Sequence, residues 1–309
     1  MQRPLFRVNR NADAFCAGLG IAVRKLGLQP CHSFVYSTVM SAKPPSHTPK
    51  DSHYARLRRE HRSQTQAAQP TEEDTHVRLY GLHTVRAALD NPRRIKHRLL
   101  ATRNALQRLE LRDDSTVPVE IVEPRVIDAQ VGPDAVHQGV LLETEPLATK
   151  QLDAMGDAKL VLVLDQVTDP HNVGAILRSA VAFGAAALIM TSRHSPQESG
   201  VLAKAASGAL EHIDHIEVRN LADALGTLSS SGFQTIGLDS EGPAELEASF
   251  SGERVALVLG AEGKGLRQKT RETVDALARL DLPGAIRSLN VSNAAAIALY
   301  AARAHLLKG

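Results

Sequence analysis

Four short aliphatic runs recur through the second half of the chain: "KLVLVLD" (159–165), "AALIMT" (186–191), "QTIGLD" (234–239) and "RVALVLG" (254–260). Each is short and apolar without alternation, the pattern of strands covered on both faces. Between them lie helix-length segments, "NVGAILRSAVAFG" (172–184), "GVLAKAASGALEHI" (200–213) and "NLADALGTLSSSG" (220–232). The alternation predicts an α/β fold, a mostly parallel sheet with helices on both faces. Ligands of such sheets collect beyond the C-terminal strand ends.

The first half is less regular. In "VRLYGLHTVRAALDNP" (77–92), Leu82, Val85, Ala88 and Leu89 form a helical stripe that "NP" ends. The segments "HRLLAT", "LQRLEL", "VPVEIV" and "HQGVLLET" then have strand or short-helix lengths. Together they predict a small α/β domain over residues 76–145, a linker over 146–158 and a second domain over 159–309. Residues 1–75 lack sustained periodicity, and the polar tract from Ser41 to Asp74 cannot repay the entropy of ordering. They are expected to form a basic, disordered extension. Met40 directly precedes this tract, so a targeting peptide or an upstream extension of the reading frame are both open for residues 1–39.

Composition narrows the chemistry. Without tryptophan and with 3% aromatic residues, the cores must be built from Leu, Val, Ile and Ala. The only cysteines are Cys16 and Cys31, so residues 32–309 offer no thiol for a disulfide, a zinc cage or covalent catalysis. No apolar run reaches the roughly 18 residues of a membrane span, and a cytoplasmic protein without membrane partners is expected. Positive charge is uneven: residues 1–70 hold 11 Lys/Arg against 3 Asp/Glu, and residues 77–110 hold 8 against 2. Residues 111–309 hold 17 against 26. A polyanion docking on the first third fits this distribution; charge for solubility fits it as well. Arg93, Arg94, Lys96 and Arg98 are the candidate phosphate contacts, or else one solvated face.

Three loops carry unusual polar residues. In "LDQVTDPHNVGAILRSAVAFG" (164–184), Asp165 and Gln166 close a strand, Asn172 suits a helix cap, and Arg178 follows six residues later on what is expected to be a similar face. In "VALVLGAEGKGL" (255–266), a buried strand runs into Gly260, Gly263 and Gly265 around Glu262. That spacing fits neither a phosphate-binding G-x-x-x-x-G-K-[ST] loop nor a dinucleotide fingerprint, which weakens a nucleotide hydrolase. In "LDLPGAIRSLNVSNAAAIALYAARA" (280–304), a Pro-Gly turn leads through a short extended piece into an Ala-rich helix. Ser292 or Asn293 would cap it. Ser288 and Asn290 are then left without a structural reason.

Together, "DPHNVGAILRSAVAFG", "LVLGAEGKGL" and "LPGAIRSLNVSNAAAIALY" strongly resemble the SpoU (TrmH-like) family of RNA 2'-O-methyltransferases of the SPOUT superfamily. "LYGLHTVRAAL" and "VHQGVLLE" are similar to the small substrate-binding domain of bacterial 23S rRNA guanosine 2'-O-methyltransferases, extending the likeness to residues 78–309. The resemblance implies a deep trefoil knot at the C-terminus, an exception to unthreaded chains, and a homodimer. It also implies S-adenosylmethionine as cofactor and 23S rRNA, or a large-subunit assembly intermediate, as substrate. Arg178, Asn172, Glu262, Ser288 and Asn290 match the catalytic positions. Leu259, Gly260, Gly263, Leu282, Leu289, Asn290 and Ala294 match the adenosyl-binding wall, and His171 is a candidate RNA contact. A guanidinium ordinarily keeps its proton, so the acceptor of the hydroxyl proton stays open. No metal is required, because the cofactor carries the activated methyl; His212 and His215 in "EHIDHI" lack a third ligand. Methylation of a tRNA ribose, and a noncatalytic RNA-binding protein on the same fold, are the alternatives.

Overall fold

The computed structural model describes residues 76–111 and 115–308; the expected basic extension lies outside them. Seven strands form the larger sheet: β5 (Leu160–Asp165), β6 (Ala187–Thr191), β7 (Asp214–Val218), β8 (Gln234–Leu238), β9 (Ala244–Glu245), β10 (Val255–Gly260) and β11 (Ala276–Arg279). Their order is β7-β6-β5-β10-β8-β11-β9, and every pair is parallel. The side-chain period of two explains why the central strands are apolar throughout. Leu160, Leu162 and Leu164 of β5 enter one core, whereas Val161 and Val163 enter the other. The Leu face is covered by α4 (Pro170–Ala182), α5 (Gly200–Ala206) and α9 (Val291–Leu306). The Val face is covered by α6 (Leu221–Ser230) through Leu221, Leu225 and Leu228.

Three local readings are corrected. Asp169, not Asn172, caps α4: its side chain accepts from the His171 amide at 3.1 Å, with Pro170 in the first turn, so Asn172 is free for another partner. Asn290, not Ser292 or Asn293, caps α9 by accepting from the Ser292 amide at 2.9 Å. The segment 200–213 is not one helix, because Ser207 and Gly208 both adopt left-handed backbone and split α5 from a 3-10 turn at Ala209–His212. Strands β7 and β11 escaped the hydrophobic pattern because "DHIEV" and "ALAR" are short and polar-edged.

The smaller domain comprises β1 (Val77–Tyr80), α1 (Leu82–Asp90), β2 (Lys96–Ala101), α2 (Arg103–Leu109), β3 (Val119–Ile121), α3 (Pro124–Val131) and β4 (Val140–Thr144). Its sheet order is β1-β4-β2-β3. Its core is continuous with the Leu-face core of the larger sheet. At the junction, a Cβ on Gly200 would come within 2.3 Å of the Arg78 carbonyl oxygen, so only glycine lets α5 approach β1 this closely. Thr84 donates to the Ala203 carbonyl at 3.2 Å in the same interface.

Candidate active site

Asn172, Glu262 and Asn290 converge beyond the C-terminal ends of β5, β10 and β11. The side-chain amide of Asn290 donates to Asn172 Oδ1 at 3.1 Å and also to Glu262 Oε1. Glu262 Oε1 accepts from the Val291 amide at 3.4 Å. Asn290 Oδ1 meanwhile accepts from the Ser292 amide and from the Ser292 hydroxyl at 2.6 Å. One residue therefore ends the third loop, starts α9 and ties both to the other two loops. The cluster lies at the protein surface, with Glu262 and Asn290 exposed.

The glycine-rich loop is held from below. A Cβ on Gly260 would lie 2.1 Å from the Gly265 carbonyl carbon, because the loop folds back over it. Gly263 and Gly265 take φ of 74° and 63°, left-handed values that glycine adopts freely. The Gly265 amide closes the turn on the Ala261 carbonyl at 2.9 Å. Beyond it, the fully buried Asp165 accepts from the Arg267 amide at 3.0 Å, Arg267 Nε at 2.6 Å and the Thr270 hydroxyl at 2.7 Å. Asp165 is thus the anchor of this loop. A charged residue closing an otherwise apolar strand was the available signal for it. Gln166 follows with φ of 61°, an uncommon conformation for a side-chain-bearing residue, where the strand turns toward α4.

The residues expected to form the cofactor wall differ in burial. Leu259 is buried at the end of β10, Leu282 and Ala294 are half-buried, and Leu289 is 37% exposed. Arg287 closes its own loop by donating to the Leu282 carbonyl at 3.1 Å. In the glycine turn, the space a Cβ would fill is open at Gly263 and Gly265. Ser288 lies in the same exposed segment, and among the described residues no hydrogen bond ties it to Asn290.

Arg178 stands apart from the cluster. Six residues along a helix turn it by about 600°, leaving it about 120° away from Asn172 and about 9 Å further along the axis. It is exposed and lines a groove with His83, Arg86, Asp90 and His212. The shared face expected from spacing is therefore corrected. His171 is exposed in the first turn of α4.

The four candidate phosphate contacts all have partners within the protein, but only Arg94 is withdrawn from the surface. Arg94 is 0% exposed and pairs with Glu198 and Glu211 at 2.5 Å each, so it is not a surface RNA contact. Glu198 also accepts from the Leu147 amide at 2.8 Å, and Asn91 donates to Glu211 at 2.6 Å. Burial pushes the Glu198 carboxyl above its ordinary value, although Arg94 and the Leu147 amide act against it. Arg93 pairs with Asp214 at 2.9 Å, and Lys96 donates to the Leu89 and Asn91 carbonyls at 3.0 and 2.9 Å. Arg98 grips Glu143 through two bonds of 2.8 and 3.0 Å. Arg93 and Arg98 stay about half exposed in their ion pairs. His215 spends Nε2 on the Leu210 carbonyl at 3.2 Å, and burial pushes its pKa down.

Comparison with known proteins identifies the family. The sequence profile described as "SpoU rRNA Methylase family" matches residues 159–300, and that described as "RNA 2'-O ribose methyltransferase substrate binding" matches residues 78–150. The chain is 38% identical over 237 residues to the 23S rRNA (guanosine-2'-O-)-methyltransferase RlmB of Pseudomonas putida, covering 73% of this chain and 95% of that one. An S-adenosylmethionine-bound rRNA methyltransferase from Sinorhizobium meliloti superposes with a TM-score of 0.64 at 25% identity, covering 80% and 91% of the two chains. The SpoU methyltransferase AviRb of Streptomyces viridochromogenes shares the fold, with a TM-score of 0.65 at 22% identity over 80% and 98%. The chain therefore belongs to the SpoU family, S-adenosylmethionine-dependent enzymes that methylate ribose 2'-hydroxyls of RNA.

Proposed function

We propose that the chain methylates the ribose 2'-hydroxyl of one guanosine in 23S rRNA, free or in a large-subunit assembly intermediate. The observation that carries this reading is the three-loop junction at Asn290. The similarity to RlmB over 95% of that enzyme's length supports the substrate.

S-adenosylmethionine supplies an activated methyl when bound. Leu259, Leu282, Leu289 and Ala294 give it an apolar wall, and the turn from Gly260 through Gly263 gives it backbone amides. Asn290 holds this wall in register by bonding Glu262 and Asn172 at once. Ser288 stands two residues from that junction and orders the ribose. Arg178 draws the adjoining phosphate and fixes the approach of the hydroxyl. Such orientation is worth up to about 7–11 kcal/mol in well-aligned systems.

The C-terminal crossing forms the family's knot, and two copies join through α9, which exposes Ile297 and Tyr300, three residues apart, at 43% and 65%. A second copy would cover these side chains on the helix that Asn290 caps. The test is methyl transfer from labelled S-adenosylmethionine to unmodified 23S rRNA and to bulk tRNA, with mapping of the modified ribose. A single guanosine in 23S rRNA is expected. Transfer to tRNA alone would overturn the assignment.

A further inference from the structure

We propose that the groove where the smaller domain meets α4 is an RNA-phosphate subsite, formed by His83 and Arg86 of α1 together with Arg178 of α4 and His212. The inference rests on the RNA-methylating function proposed above. The groove measures about 420 Å³, and its lining sets two arginines and two histidines against a single acid, Asp90. Among the described residues, neither Arg178 nor His83 nor His212 has an ion-pair or side-chain hydrogen-bond partner. Arg86 reaches the Arg108 carbonyl at 2.5 Å and Glu110 at 3.6 Å, the latter an exposed pairing that a phosphate can displace. The neighbouring cations Arg93, Arg94, Lys96 and Arg98 are held by carboxylates or helix carbonyls. The groove thus brings together side chains without a described partner, which the basic run at 93–98 does not.

Both walls of the groove are fixed before any ligand arrives. The left-handed Ser207 and Gly208 turn the chain toward His212, and a Cβ on Gly208 would lie 2.9 Å from Ala87 Cβ, so α1 is seated directly on this turn. Thr84, one residue from His83, bonds the Ala203 carbonyl. The buried Arg94 ion pairs lock the same two domains together a short way behind. A preorganised cradle of donors costs little ordering on binding, which favours a polyanion drawn across the junction. Arg178 ends this cradle about 9 Å along α4 from Asn172, so the subsite would hold phosphates flanking the reacting ribose.

The experiment compares the full chain with the triple variant His83→Gln/Arg86→Gln/His212→Gln and with Arg219→Gln, an exposed charge removed outside the groove. Affinity for an unmodified 23S rRNA transcript is measured across a salt series, with S-adenosylmethionine affinity and thermal unfolding as parallel readouts. The triple variant is expected to bind RNA about tenfold more weakly and to lower the salt slope by about 1. Its cofactor affinity and unfolding should match the wild type, and Arg219→Gln should bind RNA normally. Unchanged RNA affinity and slope in a folded triple variant would overturn the subsite while leaving the methyltransferase reading intact. If the triple variant unfolds early, Arg86→Gln alone, an exposed change, decides the matter through the slope. A wild-type chain that binds no RNA removes both readings.

Discussion

The side-chain amide of Asn290 donates to Asn172 Oδ1 at 3.1 Å, joining positions 118 residues apart, while the same residue's oxygen caps α9. Cap and bridge use opposite ends of one amide, so they can be separated. Asn290→Asp keeps the acceptor for Ser292 but loses the donor and sets a second carboxylate against Glu262. It is expected to retain stability while S-adenosylmethionine affinity and methyl transfer fall at least tenfold. Asn290→Ala should also lose about 0.5–2 kcal/mol from the cap. Calorimetric titration and urea unfolding check both; wild-type cofactor binding by Asn290→Asp would refute the bridge.

Arg178 is exposed and makes no described contact that the fold needs. Arg178→Ala should unfold within about 0.5 kcal/mol of the wild type, as surface changes do. Single-turnover methyl transfer should nonetheless fall by roughly a hundredfold or more, about 2.7 kcal/mol of lost transition-state stabilisation. Normal turnover in this variant would remove Arg178 from the reaction.

Arg94 behaves oppositely. Its removal leaves Glu198 and Glu211 buried without their counter-charge, a change that costs about 3–5 kcal/mol. Arg94→Ala should lower the unfolding midpoint far more than Arg98→Ala, because the Arg98 side chain is 45% exposed where that of Arg94 is 0%. Denaturant titrations of the two variants make the comparison.

At Gly260, an added methyl would collide with the Gly265 backbone rather than with a movable side chain. Gly260→Ala is expected to cost about 1–3 kcal/mol, the usual range for overpacking, and to displace the loop carrying Glu262. Loss of cofactor affinity larger than that of Gly226→Ala, where the added Cβ meets open space, would mark the loop as the affected part.

Glu143 provides the acid-side signature. The hydrogen bond from Arg98, helped by its charge and by Arg78 and His76, holds the Glu143 carboxyl below its ordinary value despite burial. A carboxylate lowered on folding stabilises the protein above its unfolded pKa and loses that contribution as pH falls through the folded one. Stability should therefore decline on acidification below about pH 4.5. Glu143→Gln should lower the neutral-pH plateau by about 1 kcal/mol at most, given the exposed Arg98 partner, and flatten the acid limb. An unchanged limb in unfolding curves between pH 3 and pH 7 would count against this assignment.

The α/β alternation, the core strands β5, β6, β8 and β10, and the three polar loops were legible in the sequence. Each depends on local period and on the need of a doubly covered strand to be apolar. The family motifs likewise pointed to Asn172, Glu262 and Asn290, because residue type and spacing are properties of the chain itself. Partners are not. Asp165 became an anchor only when a loop 102 residues away folded over β5. Arg94 looked like one of four equivalent cations until burial placed it between two carboxylates from the other domain. Hydrogen bonds and ion pairs act over about 3 Å, and only the tertiary structure decides which distant residues come that close.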